Sequence, residues 1–278
     1  MKRILAIIGS PRRLGNSEIL AKEISRNIAA PHELRLLRLT DFDIQPCRAC
    51  YHCLFKDRCV IDDDYDTVAK AILEADAIMA ISPTYFLSAT AMFKRITDRG
   101  LAMYAHVERL WGKPSIGVGV AGLEGKEGYT LLGLENFLKS LLTTIHHCTM
   151  IYGALPGEVF LHDKNRSAAA DLAIKLMADP LEPEHPHCPL CGGGTFRFLG
   201  GSRVRCMLCS NEGHLDMREN RPEFNILGGD HDLFLTLEDA LKHKEWLMGM
   251  KSKFLANKNR LKKICLGYRR EGHWIKPG

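Results

Sequence analysis

Eight of the ten cysteines fall into two tight groups, and their spacing is that of metal ligands. The first group, Cys47, Cys50, Cys53 and Cys59, lies in PCRACYHCLFKDRC, residues 46–59, with two, two and five residues between neighbours. Thiolates suit zinc and iron–sulfur centres alike. Three close thiols with a fourth slightly further along one short loop favour a cluster, because a zinc ribbon divides its ligands between two separated knuckles. The second group has that divided form. In HCPLCGGGTFRFLGGSRVRCMLC, Cys188 and Cys191 make one knuckle, Cys206 and Cys209 the other, and the fourteen residues between read as strand, Gly-Gly turn, strand. Such a module is too small to hold itself by its own core, so bound metal is expected to fold it. Zinc is the expected ion. Iron is the alternative, because CPLCG also has the form of a rubredoxin knuckle, although CMLCS lacks the matching proline and glycine. His185, His187 and His214 lie near but are surplus to four thiolates, and Cys148 and Cys265 read as small hydrophobes.

A third stretch suits an anion. GSPRRLGNS, residues 9–17, has neither the GKS/GKT ending of a nucleoside triphosphate loop nor the glycine spacing of a dinucleotide fingerprint. It offers the hydroxyls of Ser10 and Ser17, the Asn16 amide, the Arg12 charge, and backbone N–H groups freed by Gly15 at a helix N-terminus. Those are ligands for one terminal phosphate dianion.

These groups need a scaffold, and the first 155 or so residues supply the pattern of one. Apolar runs at residues 3–8, 33–39, 76–82, 114–121 and 148–155 read as strands, and helical periodicity fits residues 17–29, 65–75, 91–104, 128–146 and 167–177. That alternation predicts an α/β fold, a doubly wound, flavodoxin-like five-stranded parallel sheet, with the phosphate loop at the carboxyl end of its first strand. Three prolines in DPLEPEHPH, residues 179–187, mark a linker. The expected organisation is a flavodoxin-like domain over 1–180 carrying the cysteine loop 47–59, a zinc-ribbon-like module over 181–222, and a basic helical tail over 223–278. Leu237, Leu241, Leu247, Met250, Phe254 and Leu261 give the tail its period, and Thr236 with Asp239 predicts its cap.

The loop GSPRRLGNS resembles that of the NADPH-dependent FMN reductase family, which wraps such a Gly-Ser-x-x-x-x-Gly-Asn-Ser segment around the FMN phosphate. SPTYF, residues 82–86, matches the family's Pro-x-Tyr loop along the isoalloxazine, and AGLEGKEG, residues 121–128, is a glycine-rich loop after the fourth strand. The resemblance implies FMN held by Ser10, Arg12, Gly15, Asn16, Ser17, Pro83, Thr84, Tyr85, Phe86, Ala121 and Gly122. The first quartet narrows it to the iron-sulfur flavoprotein branch, which implies a [4Fe-4S] cluster on Cys47, Cys50, Cys53 and Cys59 beside the flavin. It also implies a homodimer or homotetramer in which one subunit's cluster lies near another's FMN. The implied function is electron transfer, with the cofactors carrying the reaction and no catalytic side chain. Two alternatives stay open: an NAD(P)H-dependent FMN or quinone reductase with structural cysteines, and a redox-sensing module that binds nucleic acid.

Charge bears on the partner. The net +5 divides unevenly, because residues 242–278 hold eleven Lys or Arg against two Glu while the remaining residues carry −4. A basic helix suits an acidic electron carrier such as ferredoxin, with NAD(P)H the other expected donor. Arg197, Arg203 and Arg205 with Phe196 and Phe198 leave nucleic-acid binding by the ribbon open, which the acidic linker beside it argues against. No apolar run is long enough for a membrane helix, and the opening apolar stretch is too short for a signal peptide, so a cytoplasmic location is expected.

Overall fold

The computed structural model describes residues 1–180, 182–183 and 185–276; of the linker 179–187, Leu181 and Glu184 lie outside the described residues. The chain runs β1 (Lys2–Ile8), α1 (Asn16–Arg26), β2 (His32–Arg38), α2 (Cys53–Lys56), α3 (Tyr65–Glu74), β3 (Ala77–Tyr85), β4 (Ser88–Ala89), α4 (Ala91–Asp98), α5 (Leu101–Tyr104), α6 (Val107–Leu110), β5 (Pro114–Ala121), α7 (Thr130–Ser140), β6 (Thr144–Tyr152) and α8 (Asp163–Met177). Then follow β7 (Phe196–Gly200), β8 (Arg203–Cys206), β9 (Glu212–Arg218), β10 (Arg221–Ile226) and α9 (Leu237–Gly267).

Five parallel strands lie in the order β2-β1-β3-β5-β6, with short β4 paired antiparallel to β3. This is the doubly wound, flavodoxin-like order, and it places the loops after β1 and β3 on either side of a switch point. The reason is legible in β1, whose KRILAII is apolar on both faces. Leu5 and Ile7 enter one core layer with residues of α3, α4 and α7, while Ile4, Ala6 and Ile8 enter the other with α1 and α8.

Some elements depart from the periodicity. The helix expected over 91–104 is two helices, α4 and α5, because Arg99 and Gly100 interrupt it: Gly100 N–H turns back to the Thr97 carbonyl at 2.9 Å. The helix expected over 128–146 stops at Ser140. Leu142 takes φ +61°, which no helix continues through, and Thr143 Oγ1 donates to the Leu138 carbonyl at 2.8 Å. The fifth parallel strand therefore begins at Thr144 and ends at Tyr152, earlier than the expected 148–155. The third parallel strand runs through Pro83, Thr84 and Tyr85, so the expected loop there is the rising arm of a hairpin.

The C-terminal module is a four-stranded antiparallel sheet in the order β10-β9-β8-β7. It is twice the expected hairpin, and β10 crosses the boundary expected at residue 222. Stacked Phe196 and Phe224, with ring centroids 3.6 Å apart, tie its outer strands together. Phe234 packs against both this small core and the flavodoxin-like one, and Tyr104 Oη donates to the Leu233 carbonyl at 3.0 Å. Helix α9 opens with the expected box: Thr236 Oγ1 accepts from Asp239 N–H, and the Asp239 carboxylate accepts from Thr236 N–H. Ala240 and Leu247 are buried at its base, where α9 packs against α2 and α6, but every residue described from 251 onward is exposed.

Candidate functional site

The phosphate loop is built by packing. A Cβ at Gly9 would sit 2.6 Å from both Phe93 and Thr90 side chains, and one at Gly15 would sit 2.9 Å from Arg12 Cβ, so neither position accepts a larger residue without movement. Gly15 caps α1 with no side chain, which leaves the helix N-terminus to the crevice. Ser10 and Ser17 are buried in the loop and Arg12 is exposed; Ser10 Oγ accepts from the Arg12 N–H at 3.3 Å. Asn16, expected among the phosphate ligands, has another use. Its Nδ2 donates to the Gly153 carbonyl at 3.0 Å and its Oδ1 accepts from Gly157 N–H at 2.8 Å, so its amide locks the loop after β6 to the phosphate loop. That fourth loop had no signature in sequence. Behind α1's first turn, Glu18 accepts from Leu14 N–H, Lys22 and Arg38. Burial pushes its carboxyl up, but those hydrogen bonds and the two cations outweigh it and hold the group below its ordinary value.

The hairpin after β3 reaches the same crevice. Phe86 and Leu87 at its tip take φ +47° and +64°, a two-residue turn made without glycine, and Phe86 is fully exposed. Non-glycine residues held there are strained, at about 1–2 kcal/mol each. The strain is maintained by the loop after β5: Tyr129 N–H donates to the Leu87 carbonyl at 2.8 Å, Thr84 and Thr130 hydroxyls meet at 2.9 Å, and a Cβ on Gly128 would lie 2.3 Å from Leu87 Cβ. Pro83 and Thr84 are half-buried, Tyr85 half-exposed, Ala121 buried and Gly122 exposed against Ala154. Glu127, not singled out in sequence, has a buried Oε2 without a partner and lies beside Tyr152, whose hydroxyl is pushed up first by burial and then by the Glu127 and Glu124 charges. Four loops thus meet at the carboxyl edge of the sheet, joined by the hydrogen bonds of Asn16 and of Tyr129.

The cysteine loop rises from the same edge after β2. Its stem is clamped: Asp43 N–H donates to Asp64 at 2.7 Å, Gln45 N–H to Asp63 at 2.8 Å, and Arg95 Nη1 to the Ile44 carbonyl at 3.0 Å. Ala49, Tyr51 and Asp57 take φ values of +48°, +58° and +54°, so the backbone turns left-handed three times between residues 49 and 57. That folding brings Cys47, Cys50, Cys53 and Cys59 around one cavity, together with Arg48 and Arg99. The Cys53 thiol is pushed up to about 11, first by burial and then by the charge of Cys59, Cys50 and Cys47.

The cavity has a second uncommon lining group. Arg99 is 1% exposed in its side chain and pairs with Asp63, which is wholly buried. Its Nη1 serves Asp63 and the Gln45 carbonyl, its guanidinium lies 3.9 Å from the Tyr65 ring centroid, and its Nε and Nη2 have no partner. Two buried unpartnered nitrogens, carrying three N–H groups between them, beside four thiols suit an anionic centre in the cavity, as a thiolate-ligated iron–sulfur cluster is.

The second quartet is different in kind. Cys188, Cys206 and Cys209 are buried, and the four sulfurs lie within 4.8 Å of one another. Around one ion with metal–sulfur bonds of about 2.3 Å, tetrahedral sulfurs stand about 3.8 Å apart. Cys188 to Cys209 is 3.8 Å and Cys191 to Cys206 is 3.5 Å. Among the described residues, this is the group of three or more such ligands close enough to share one ion. Its two knuckles repeat one geometry: the residue after each pair, Gly192 at φ +75° and Ser210 at +66°, is left-handed. Thiol-to-thiol hydrogen bonding in this crowd drives Cys188 down and holds Cys191 up. Lys139 of α7 is half-buried near the same site; desolvation lowers its pKa while the charges of Cys191 and Cys209 oppose that. On the ribbon's surface Arg203 and Arg205 both pair with Glu212.

Comparison with known proteins agrees with this geometry. The family described as NADPH-dependent FMN reductase matches residues 2–148. An iron-sulfur flavoprotein of Archaeoglobus fulgidus is 30% identical over 175 residues, covering 63% of this chain and 78% of that protein. An iron-sulfur flavoprotein of Methanocaldococcus jannaschii is 28% identical over 186 residues, covering 63% of this chain and 95% of the other. Among solved structures, a flavone reductase superposes with a TM-score of 0.71 at 19% identity, covering 99% of this chain and 100% of its own, so the fold, C-terminal module and helix included, occurs as a whole elsewhere.

Proposed function

This chain belongs to the NADPH-dependent FMN reductase family, and from that premise we propose that it is an iron-sulfur flavoprotein, an oxidoreductase that passes electrons between FMN, a [4Fe-4S] cluster and an external redox partner. The observation that carries the reading is the cavity in which four cysteines and the unpartnered N–H groups of Arg99 meet, on the same sheet edge as the flavin crevice. When bound, FMN supplies two-electron chemistry and a cluster supplies single electrons, so the pair exchanges one kind for the other. The residues bind and orient. Ser10, Ser17, Arg12 and the α1 N-terminus receive the phosphate. Asn16 holds the fourth loop closed behind it, and Pro83, Thr84, Tyr85, Phe86, Ala121 and Gly122 line the ring. Cys47, Cys50, Cys53 and Cys59 hold the cluster, while Cys188, Cys191, Cys206 and Cys209 hold one structural zinc that folds the ribbon.

The partner in this reading is an acidic one-electron carrier of the ferredoxin kind. Helix α9 passes the cysteine loop, with Lys251 Nζ 5.2 Å from the Phe55 ring between Cys53 and Cys59, and then projects its cations free of the body. Exposed Phe86, Leu87, Leu123, Tyr129 and Leu155 around the crevice mouth supply the apolar surface that a homodimer or homotetramer would cover. No helix of the described residues is long and apolar enough to cross a membrane. Anaerobic mixing with reduced ferredoxin and, separately, with NADPH tests the proposal. It expects ferredoxin to reduce flavin and cluster together. Bleaching of FMN by NADPH in a protein without iron would replace it with a flavin or quinone reductase whose loop cysteines are structural.

A further inference from the structure

We propose that Arg99 is a positioning residue for the centre held by Cys47, Cys50, Cys53 and Cys59: its Nε–H and Nη2–H donate to sulfur and thereby set that centre's reduction potential. The inference rests on the cluster reading above. A guanidinium has five N–H donors in a rigid fork. Here one nitrogen, Nη1, faces Asp63 and the Gln45 carbonyl, and the other two, Nε and Nη2, are buried without a partner. Burial at 1% exposure keeps solvent from serving them, and a buried donor left without an acceptor is destabilising. The cavity they share with the four cysteines is where an acceptor can stand, and the guanidinium lies beside the Cys59 thiol.

The fork cannot turn away to look for another partner. Tyr65 covers one face of the guanidinium, and its hydroxyl donates to the Arg99 carbonyl at 2.9 Å, fixing main chain and side chain together. The break between α4 and α5 falls at this residue, which frees the main chain from helical geometry where the side chain turns inward. Asp63 already balances the formal charge. Arg99 therefore acts on the centre through directed N–H···S bonds, which stabilise the more negative, reduced state over the oxidised one and raise the potential.

The test is potentiometry on anaerobic holoprotein, comparing the native chain with Arg99→Lys, which keeps a cation for Asp63 but removes the fork. Iron and sulfide are expected at the native stoichiometry. The reduction equilibrium of the loop centre should move at least tenfold toward oxidised, which is 59 mV for one electron, while the flavin midpoint stays in place. An unmoved centre with iron fully present removes the role of Arg99 and leaves the cluster intact. A native chain that binds no iron removes the cluster reading itself. Should Arg99→Lys not fold, the Arg48→Ala protein labelled with 15N-arginine leaves Arg99 as the arginine lining the cavity. A 15N hyperfine coupling on its reduced centre supports the donor, and its absence overturns it.

Discussion

Gly128→Ala tests whether the hairpin tip and the loop after β5 frame the flavin, and Gly125→Ala in the same loop is its control. Both glycines are left-handed, at φ +56° and +73°, so each alanine bears the backbone cost of about 1–2 kcal/mol. They differ in space. Nothing lies within 4 Å of a Cβ at Gly125, whereas one at Gly128 would sit 2.4 Å from the Leu87 carbonyl oxygen. Ordinary contact begins near 3.4 Å, so the Phe86–Leu87 turn or the loop must retreat by about 1 Å. Overpacking of that size costs about 1–3 kcal/mol. Expressed in binding, this weakens FMN by about 5- to 150-fold relative to Gly125→Ala. Flavin fluorescence quenching on titration into the two apoproteins measures the ratio. Equal affinities would show that the contact between the two loops does not shape the ring site.

The remaining expectations concern the other sites. Asp63→Ala leaves Arg99 buried without its counter-ion and should destabilise the flavodoxin-like domain by about 3–5 kcal/mol in denaturant unfolding at pH 7. Burial pushes the Asp63 carboxyl up, but Arg99 and the N–H groups of Gln45 and Tyr65 hold it below its ordinary 3.8. Its contribution is therefore complete above about pH 4 and lost as pH falls through the lower folded value, so native and variant should converge there. Cys206→Ser should abolish the ribbon's metal and raise exchange of the β7–β10 amides while FMN stays bound, as elemental analysis and hydrogen exchange would show; retained metal would count against four-thiolate ligation. Neutralising Lys251, Lys253, Lys258 and Arg260 to Gln should slow reduction by an acidic carrier and flatten its salt dependence. Unchanged stopped-flow rates would remove α9 from the docking surface.

What could be read in the chain and what could not divide along physical lines. The parallel strands, the loop after β1 and both cysteine quartets are local patterns; the five strands appear in the sheet, the last of them starting early, and the ribbon's four sulfurs come together. Asn16 was legible as a loop residue but not as a lock, because its partners Gly153 and Gly157 lie some 140 positions away in sequence. Arg99 sits in an apparently continuous helical period, and only its pairing with Asp63 shows why the helix breaks there. Residues 141–146 carried helical periodicity until Leu142 adopted a left-handed turn. Strands β9 and β10 alternate weakly, with partly exposed side chains on both faces, so their pairing with β8 left little signal. Glu127 and Tyr152 belong to the crevice through tertiary approach alone.

In the proposed function one sheet edge holds FMN and, beside it, a loop of thiolates holds an iron–sulfur cluster, with zinc confined to the ribbon. Absorption spectroscopy with flavin, iron, zinc and acid-labile sulfide counts on anaerobically purified protein tests it most directly. Expected per chain are one FMN, four iron, four sulfide and one zinc, with a broad brown shoulder under the flavin bands that dithionite bleaches. Colourless protein free of flavin and iron would contradict it.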